Sequence, residues 1–296
     1  MPEPAPRPDP AFLDTASALG ARLCRDALWD GNRCNWVGSS MEVVGGQWRP
    51  VERSFGPDVY AGAAGIALFL ARLFAATGEP PLRRAAEGAA AQALSRAGDL
   101  HPSVRAGYYV GQTGLAHVLT QIGLLLDRPA LIQAAESLAD DLTTLDLPEQ
   151  GLDVLSGVAG AIPALLDLSA RMGRPALLDL ARRCGERLLG AATRGGPHWS
   201  WGMPGEAPGT PHLTGFSHGS GGVAWALLEL HHATGDARFR EGAEGGFAYE
   251  RSRFNPAQGN WPDLRESVPA PPRRSSWWPG VTAPPASASP ACGPSS

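Results

Sequence analysis

Two side chains suited to acid–base chemistry stand beside glycine pairs in the second half of the sequence. Asp153 lies four residues before Gly157 in the segment GLDVLSGVAG, and His218 directly precedes Gly219 in LTGFSHGSGG. A carboxylate that is hydrogen-bonded to an imidazole orients the ring and raises its basicity. If the fold brings them together, Asp153 and His218 therefore form a candidate acid/base pair.

Each of these residues also has a purely structural interpretation. Asp153 is suited to cap a helix, because an Asp before a helix often accepts hydrogen bonds from its first N–H groups. His218 can serve as a structural residue of a glycine-rich turn. Trp201 in WSWGMPG and Trp261 in GNWPDLRE lie in aromatic loops, and we expect them either to pack in the interior or to line a cleft.

Four segments of the sequence resemble one another and indicate the elements that position these side chains. Each reads G-x-x-G, then an apolar stretch with helical periodicity, then a short turn. Their first glycines, which follow one another after 49, 46 and 62 residues, are Gly62, Gly111, Gly157 and Gly219. A second helical stretch that opens with Pro or Asp follows each turn. The repeating unit is therefore a helical hairpin, and repeats of this length are typical of stacked helical units.

The glycine pairs have a steric interpretation, since a residue without Cβ lets loop backbone approach a helix closely. For Gly62 and Gly65, and for Gly111 and Gly114, packing is the preferred interpretation, because no chemically active side chain stands beside them. In the two later repeats the loops carry Asp153 and His218. Because equivalent loops of stacked hairpins face one locus, these two side chains can converge although they are far apart in sequence.

The composition predicts a globular protein and excludes several partners. The 296 residues are 43% hydrophobic and 18% charged, and the net charge of -4 provides no field that would attract nucleic acid or an anionic membrane. No run approaches the ~18 apolar residues of a membrane span, and the start MPEPAPRPDP does not resemble a secretory signal. We therefore expect a cytoplasmic protein. No C-x-x-C spacing occurs among the four cysteines, Cys24, Cys34, Cys184 and Cys292.

Five ordered segments together resemble the lanthionine synthetase C-like (LanC-like) cyclases, including the cyclase part of type 2 lanthipeptide synthetases. The resemblance covers roughly residues 11 to 266. The segments that carry it are GNRCNWVG, GPDVYAGAAGIALFLARL, DVLSGVAGA, GFSHGSGGVAWALLEL and ERSRFNPAQGNWPDLRE.

The resemblance implies an all-α fold, an α/α toroid of helical hairpins similar to the six-hairpin glycosidases. It also implies addition of peptide Cys thiols to dehydrated Ser or Thr residues of a lanthipeptide precursor, which forms thioether rings. In the family, zinc stabilises the thiolate and an acid/base group handles the proton of the enolate. By motif, Asp153 and His218 match the family's catalytic Asp and His.

The zinc site of the family has no counterpart in this sequence. The family holds zinc with two Cys and one His, in a WCHG or WCYG motif soon after NWPDLR and in a later CHG motif. Neither motif occurs, and Cys292 stands in PACGPSS without that context. We therefore predict no metal ligands in this chain, and weak zinc binding or none.

The Pro- and Ser-rich ending of the sequence suggests why the zinc-ligand motifs are missing. The tail can be translated back into codons and read in the frame that starts one base earlier. In that frame the codons of Trp277, Trp278 and Pro279 can encode only Val-Ala. With permitted choices of the third codon bases, the reading then continues as VAWCHGAPGIGLARLR. The ending is therefore expected to be the product of a frameshift between Arg265 and Trp277. We predict a disordered leader over residues 1–10, a partial toroid over 11–266 and a disordered tail over 267–296.

Two functions of different classes follow from these observations. The first is a lanthionine-forming cyclase whose activity is lost in the chain as given. The second is a non-catalytic toroid that binds a peptide or another partner. A glycosidase that uses Asp153 with another carboxylate is less favoured, because no second acid at suitable loop spacing is evident.

Overall fold

The computed structural model describes residues 10–203, 205–207 and 209–267. The predicted leader and tail fall almost wholly outside the described residues, and so do Cys292 and the proposed frameshift product. Within the described part the chain is mostly helical, and the four helical hairpins that the repeat predicts are present.

Nine α-helices occur in the described residues. The chain opens with α1 (Pro10–Asp26). The first helices of the four hairpins are α2 (Ala63–Thr77), α4 (Gln112–Leu125), α6 (Val158–Met172) and α8 (Ser220–Thr234). The second helices are α3 (Pro80–Ser95), α5 (Pro129–Thr143), α7 (Pro175–Ala191) and α9 (Ala237–Arg253).

Local chemistry explains where these helices begin and end. Proline occupies the first turn of α3, α5 and α7, where its missing N–H is not needed for an intrahelical bond. The helix α9 is instead capped by Asp236, whose carboxylate accepts from the N–H of Arg238. Three of the four first helices end at a glycine in the left-handed region, which are Gly78, Gly173 and Gly235.

The hairpins stack so that the first helices form one layer. Helix α2 contacts α4, α4 contacts α6, and α6 contacts α8, while each first helix also packs along its own second helix. The buried core between the layers is built from Ala and Leu, with Leu70, Leu119, Leu165 and Leu227 fully buried on successive first helices. This arrangement places the four G-x-x-G loops at the same end of the stack.

The second glycine of each pair is required by the backbone itself. A Cβ built on Gly65, Gly114, Gly160 or Gly222 would lie 2.2, 1.6, 2.0 or 1.9 Å from the carbonyl oxygen of the residue six positions earlier. Real Cβ atoms do not approach backbone oxygen so closely, so the loop can fold back onto the helix start only where the side chain is missing. The packing interpretation of the glycine pairs therefore holds in all four repeats.

Three antiparallel β-hairpins, which the repeat analysis did not predict, interrupt the helices. They pair β1 (Leu28–Asp30) with β2 (Arg33–Asn35), β3 (Val37–Val44) with β4 (Gln47–Ser54), and β5 (Thr193–Gly195) with β6 (His198–Ser200). Their turns contain Gly31, Gly45, Gly46 and Gly196 at φ between 61° and 79°. Two-residue turns that open with glycine favour hairpins, and they are the sequence signal for these strands: Gly31-Asn32, Gly45-Gly46 and Gly196-Pro197.

The hairpin formed by β3 and β4 is a compact unit of its own. It comprises residues 37–54, whereas the described residues within 10–36 and 55–267 belong to the larger helical unit. Its strands pair in register from Val37 opposite Ser54 to Val44 opposite Gln47. Arg53 and Glu42 form an ion pair across the two strands.

None of the helices in the described residues is both long enough and apolar enough to cross a membrane.

The glycine constraint predicts opposite effects for two Gly-to-Ala substitutions. Gly114→Ala drives a Cβ into the carbonyl of Tyr108, so we expect a loss of roughly 1–3 kcal/mol in the free energy of unfolding. Gly190→Ala in α7 meets no atom within 4 Å and replaces a poor helix former, so we expect stability to be unchanged or to rise by up to about 1 kcal/mol. Urea titration of both variants measures the difference. Equal stability of the two variants would contradict the steric argument.

Candidate functional site

The loops that precede α6 and α8 are joined by their backbones. The N–H groups of Val154 and Leu155 both donate to the carbonyl oxygen of Ser217, each at 3.2 Å. Asp153 is the residue before the two donors, and His218 is the residue after the acceptor. The shared carbonyl therefore brings the two predicted residues side by side, although 65 positions separate them in sequence.

The carboxylate of Asp153 is buried and fully engaged. Its Oδ1 accepts from the backbone N–H and from the hydroxyl of Ser156, each at 2.8 Å, and its Oδ2 lies 2.6 Å from Nδ1 of His218. Only 3% of Asp153 is exposed. A charge removed from water to this degree requires such partners, and three donors supply them.

This arrangement leaves the other ring nitrogen of His218 for chemistry. An ionised carboxylate only accepts hydrogen bonds, so Nδ1 of His218 carries the hydrogen and Nε2 has a lone pair. In the described residues no partner engages Nε2, and the side chain is 30% exposed. The pair therefore has the geometry of an acid/base dyad, in which Asp153 orients the ring.

Asp153 does not cap a helix, which was the structural alternative that the sequence allowed for it. The N-terminal cap of α6 is Gly157, and no side chain caps that helix. Asp153 instead closes a turn, and Asp58 in the first repeat closes the same turn by accepting from the N–H of Ala61 at 2.7 Å. The turn is therefore a structural property of two repeats, and Asp153 adds to it the contact with His218.

A further residue, which the sequence analysis did not identify, holds the histidine loop in place. Oε1 of Glu250 on α9 accepts from the N–H groups of Gly215 and Gly221, at 2.9 and 2.7 Å, on either side of His218. Burial raises the pKa of Glu250 above its ordinary value, and the two backbone bonds oppose that rise. A carboxylate that binds backbone N–H groups has no sequence motif. The only sequence signal for Glu250 is therefore its position on the second helix of its hairpin.

The two predicted tryptophans lie in different surroundings. Trp201 is 3% exposed and donates from its indole N–H to the carbonyl of Leu188, at 2.8 Å, within the core. Trp261 is 44% exposed, packs edge-on against Phe254 and donates to the carbonyl of Glu250. The structure gives both residues packing contacts, and a role in the wall of a cleft stays a prediction.

The cysteines that the structure describes do not fit a zinc site. Burial raises the pKa of Cys34 to about 11 and that of Cys184 to about 12, and it also raises the pKa of Cys24. Zinc binds the thiolate, so these thiols are poor ligands. In the described ranges no three His, Cys, Asp or Glu side chains are arranged to hold a metal ion.

Comparisons with known proteins agree with this fold. The sequence model of the family described as lanthionine synthetase C-like protein matches residues 53–282. A search of curated proteins finds no match. Among solved structures the chain is similar to nisin cyclase, at 14% identity and a TM-score of 0.51. That match covers 67% of this chain and 59% of nisin cyclase, so the chain spans less than two thirds of its length.

A second solved structure, that of a UGL variant with dGlcA-Glc-Rha-Glc, is similar at 15% identity and a TM-score of 0.50. The match covers 82% of this chain and 67% of that one. Similarity at such low identity concerns the fold alone. It confirms the predicted fold class, an α/α toroid of helical hairpins that resembles the six-hairpin glycosidases.

Glu250 provides a test of how the histidine loop is held. Glu250→Ala removes the acceptor of two N–H groups, so we expect a loss of about 1–3 kcal/mol in unfolding free energy and faster amide exchange at Gly215 and Gly221. Glu250→Gln keeps an acceptor oxygen and should differ from wild type by less than about 0.5 kcal/mol near pH 4, where both side chains are neutral. Glu244→Ala, at an exposed pair on the same helix, is the control.

The same residue predicts a pH dependence. The folded-state pKa of Glu250 is raised, so its contribution to stability is present below its ordinary value of 4.5 and is lost as pH rises through the folded pKa. As pH rises from 4 to 7, the wild-type protein should therefore lose stability relative to Glu250→Gln. An unchanged difference between the two proteins from pH 4 to 7 would contradict the assignment.

Metal analysis tests the zinc prediction. After dialysis against zinc-free buffer, we expect the purified chain to retain much less than one zinc ion per molecule, because the described thiols stay protonated. Elemental analysis by mass spectrometry measures the ratio. One tightly held ion per chain would overturn the prediction, and loss of that ion in Cys292→Ser would locate it in the tail.

Proposed function

The chain belongs to the lanthionine synthetase C-like family. On this premise we propose that its helical toroid is that of a cyclase that forms thioethers in a dehydrated peptide, and that the chain as given has lost most of this activity. The proposed substrate is a lanthipeptide precursor that carries a cysteine and a dehydroalanine or dehydrobutyrine residue. The observation that supports the proposal is the dyad of His218 and buried Asp153, which presents one free imidazole nitrogen at a loop surface.

The dyad suits the proton transfers that this addition requires. The bond between sulfur and the β-carbon forms while the double bond of the dehydro residue opens to an enolate. His218 takes the thiol proton at Nε2 and returns a proton to the α-carbon, so substrate and product contain the same atoms. The negative charge of Asp153 stabilises the imidazolium that exists between the two transfers.

Zinc in this family would supply a stabilised thiolate at neutral pH. The described residues do not fit such a site, because burial raises the pKa of Cys34 and of Cys184 and no three ligand side chains are grouped there. The steps assigned here to Asp153 and His218 therefore rely on this chain's own residues. We place the reaction in the cytoplasm, where free thiols such as Cys24, Cys34 and Cys184 stay reduced.

A second candidate function is peptide binding without catalysis. It is favoured by one observation, the lack of any three-residue metal cluster in the described residues, because thiolate activation is then left to the imidazole alone. Under this alternative the chain as given binds a dehydrated peptide but leaves its thiol unreacted.

The test uses two proteins and one substrate. The first protein is the chain as given. The second has one base restored in the gene between the codons of Arg265 and Trp277, so that its sequence continues through VAWCHGAPGIGLARLR. The substrate is a peptide with one cysteine and one dehydroalanine. Cyclisation leaves the mass unchanged but removes the thiol, so alkylation with N-ethylmaleimide followed by mass spectrometry counts unreacted thiols. We expect rapid cyclisation by the restored protein and little by the chain as given.

In the restored protein, His218→Ala and Asp153→Asn should each lower kcat by roughly 10²–10⁴-fold, because general acid–base catalysis is lost. Asp58→Asn is the matched control, since it alters the same turn in the first repeat without touching the histidine. A cyclisation rate in His218→Ala equal to that of Asp58→Asn would exclude the proposed mechanism. Peptide binding with no cyclisation by either protein would favour the binding function.

A further inference from the structure

A cavity of about 420 Å³ lies beside the dyad and contains a second histidine–carboxylate pair. It is walled by the first helices of all four hairpins, with Arg72 on α2, His117 on α4, Asp167 and Arg171 on α6, and Trp225 on α8. The mechanism proposed for Asp153 and His218 uses none of these side chains. Their arrangement therefore needs an explanation of its own.

The polar side chains of this cavity form one hydrogen-bonded chain. Oδ2 of Asp167 lies 2.9 Å from Nε2 of His117 and accepts from Nε of Arg171 at 2.6 Å. Nδ1 of His117 then accepts, with Gln121 Nε2 at 3.1 Å and the Tyr108 hydroxyl at 3.3 Å. Burial lowers the pKa of His117, which the hydrogen bond to Asp167 opposes, and the imidazole is neutral at pH 7.

The charges of this cavity do not balance. The carboxylate of Asp167 offsets Arg171, and His117 is neutral. Arg72 is exposed to solvent where it lines the cavity and donates to the amide oxygen of Gln121 at 2.7 Å, and among the described residues no carboxylate pairs with its guanidinium. The cavity therefore carries a net charge of about one positive unit, which suits a monoanion better than a dianion.

Aromatic rings complete the walls around these charges. Tyr108 and Tyr109 of the second repeat meet edge-on with ring centroids 5.0 Å apart, and Phe216 and Trp225 of the fourth repeat lie 5.1 Å apart. Such walls favour an apolar group next to the anion. The volume is of the order of two amino-acid residues rather than of a large cofactor.

The position of the cavity connects it to the dyad. Val154 and Phe216 line the cavity, while Asp153 and His218 lie one and two residues away from them in the same two loops. A peptide that reaches Nε2 of His218 therefore has its neighbouring residues next to the cavity opening. This step rests on the proposed peptide substrate.

We propose that this cavity is a substrate subsite that binds a peptide carboxylate through Arg72, with an adjacent apolar side chain against the aromatic walls. The carboxylate belongs to an acidic side chain or to a free C-terminus of the peptide. His117 and Asp167 hold the wall and orient Arg171 at the opposite side of the cavity. The subsite selects which part of the peptide the dyad encounters.

Two pairs of unreactive peptides test the proposal by NMR titration of the protein. N-acetyl-Phe-Glu-amide and N-acetyl-Phe-Gln-amide differ in a side-chain carboxylate, and N-acetyl-Gly-Phe acid and its amide differ in a terminal one. We expect one acid of the two pairs to bind roughly tenfold tighter than its amide twin at low salt, which identifies the source of the carboxylate.

Variants assign that preference to the cavity. Arg72→Gln should abolish the tenfold difference, whereas Arg240→Gln, at an exposed pair on α9, should keep it. His218→Ala should also keep it, so a failed cyclisation assay and a failed subsite remain distinguishable. Equal binding of acids and amides, a preference that survives Arg72→Gln, or competition by inorganic phosphate at the affinity of the peptide acid would each overturn the proposal.

Discussion

The candidate site depends on one backbone contact, the carbonyl of Ser217 that accepts from two successive N–H groups of the neighbouring loop. Without it, Asp153 and His218 would be separate loop residues on separate hairpins. With it, the carboxylate meets the imidazole at 2.6 Å while Ser156 satisfies its other oxygen. Because backbone groups make the contact, its geometry is independent of the side chains of Val154 and Leu155. The loop that carries His218 is also held by Glu250, so both flanks of this loop are fixed by hydrogen bonds to backbone atoms.

The glycine pairs make this contact possible, and they also explain why the sequence repeats. Each loop must fold back over the first turn of its helix, and the carbonyl six residues before the second glycine occupies the space that a Cβ would need. The same steric requirement recurs in every hairpin, whether or not the loop carries a functional side chain. Repetition in the sequence therefore reflects packing first, and the candidate chemistry is added at two of the four loops.

The sequence predicted the features that repeat and missed those that occur once. The spacing of the glycines indicated the four hairpins, and the equivalence of their loops indicated that Asp153 and His218 converge. Glu250 could not be predicted, because its partners are backbone N–H groups that have no signature in the side-chain sequence. The contact of His117 with Asp167 joins two apolar helices 50 residues apart, and periodicity alone does not say which face of each helix meets the other. The β-hairpins did have a signal in the glycines of their two-residue turns, but the helical repeat dominated the pattern.

The loops that precede α2 and α4 have the same backbone arrangement as the two loops that carry Asp153 and His218. Val59 and Tyr60 both donate to the carbonyl of Tyr109, as Val154 and Leu155 do to Ser217, and Asp58 closes the turn that Asp153 closes. The position equivalent to His218 is held by Val110. The chain thus contains a second pair of loops with the same backbone arrangement, in which one residue, Val110, stands where an aspartate–histidine pair would need its histidine. In evolutionary terms, a repeat fold of this kind can acquire or move such a pair by a single substitution, because duplication has already built the scaffold around it.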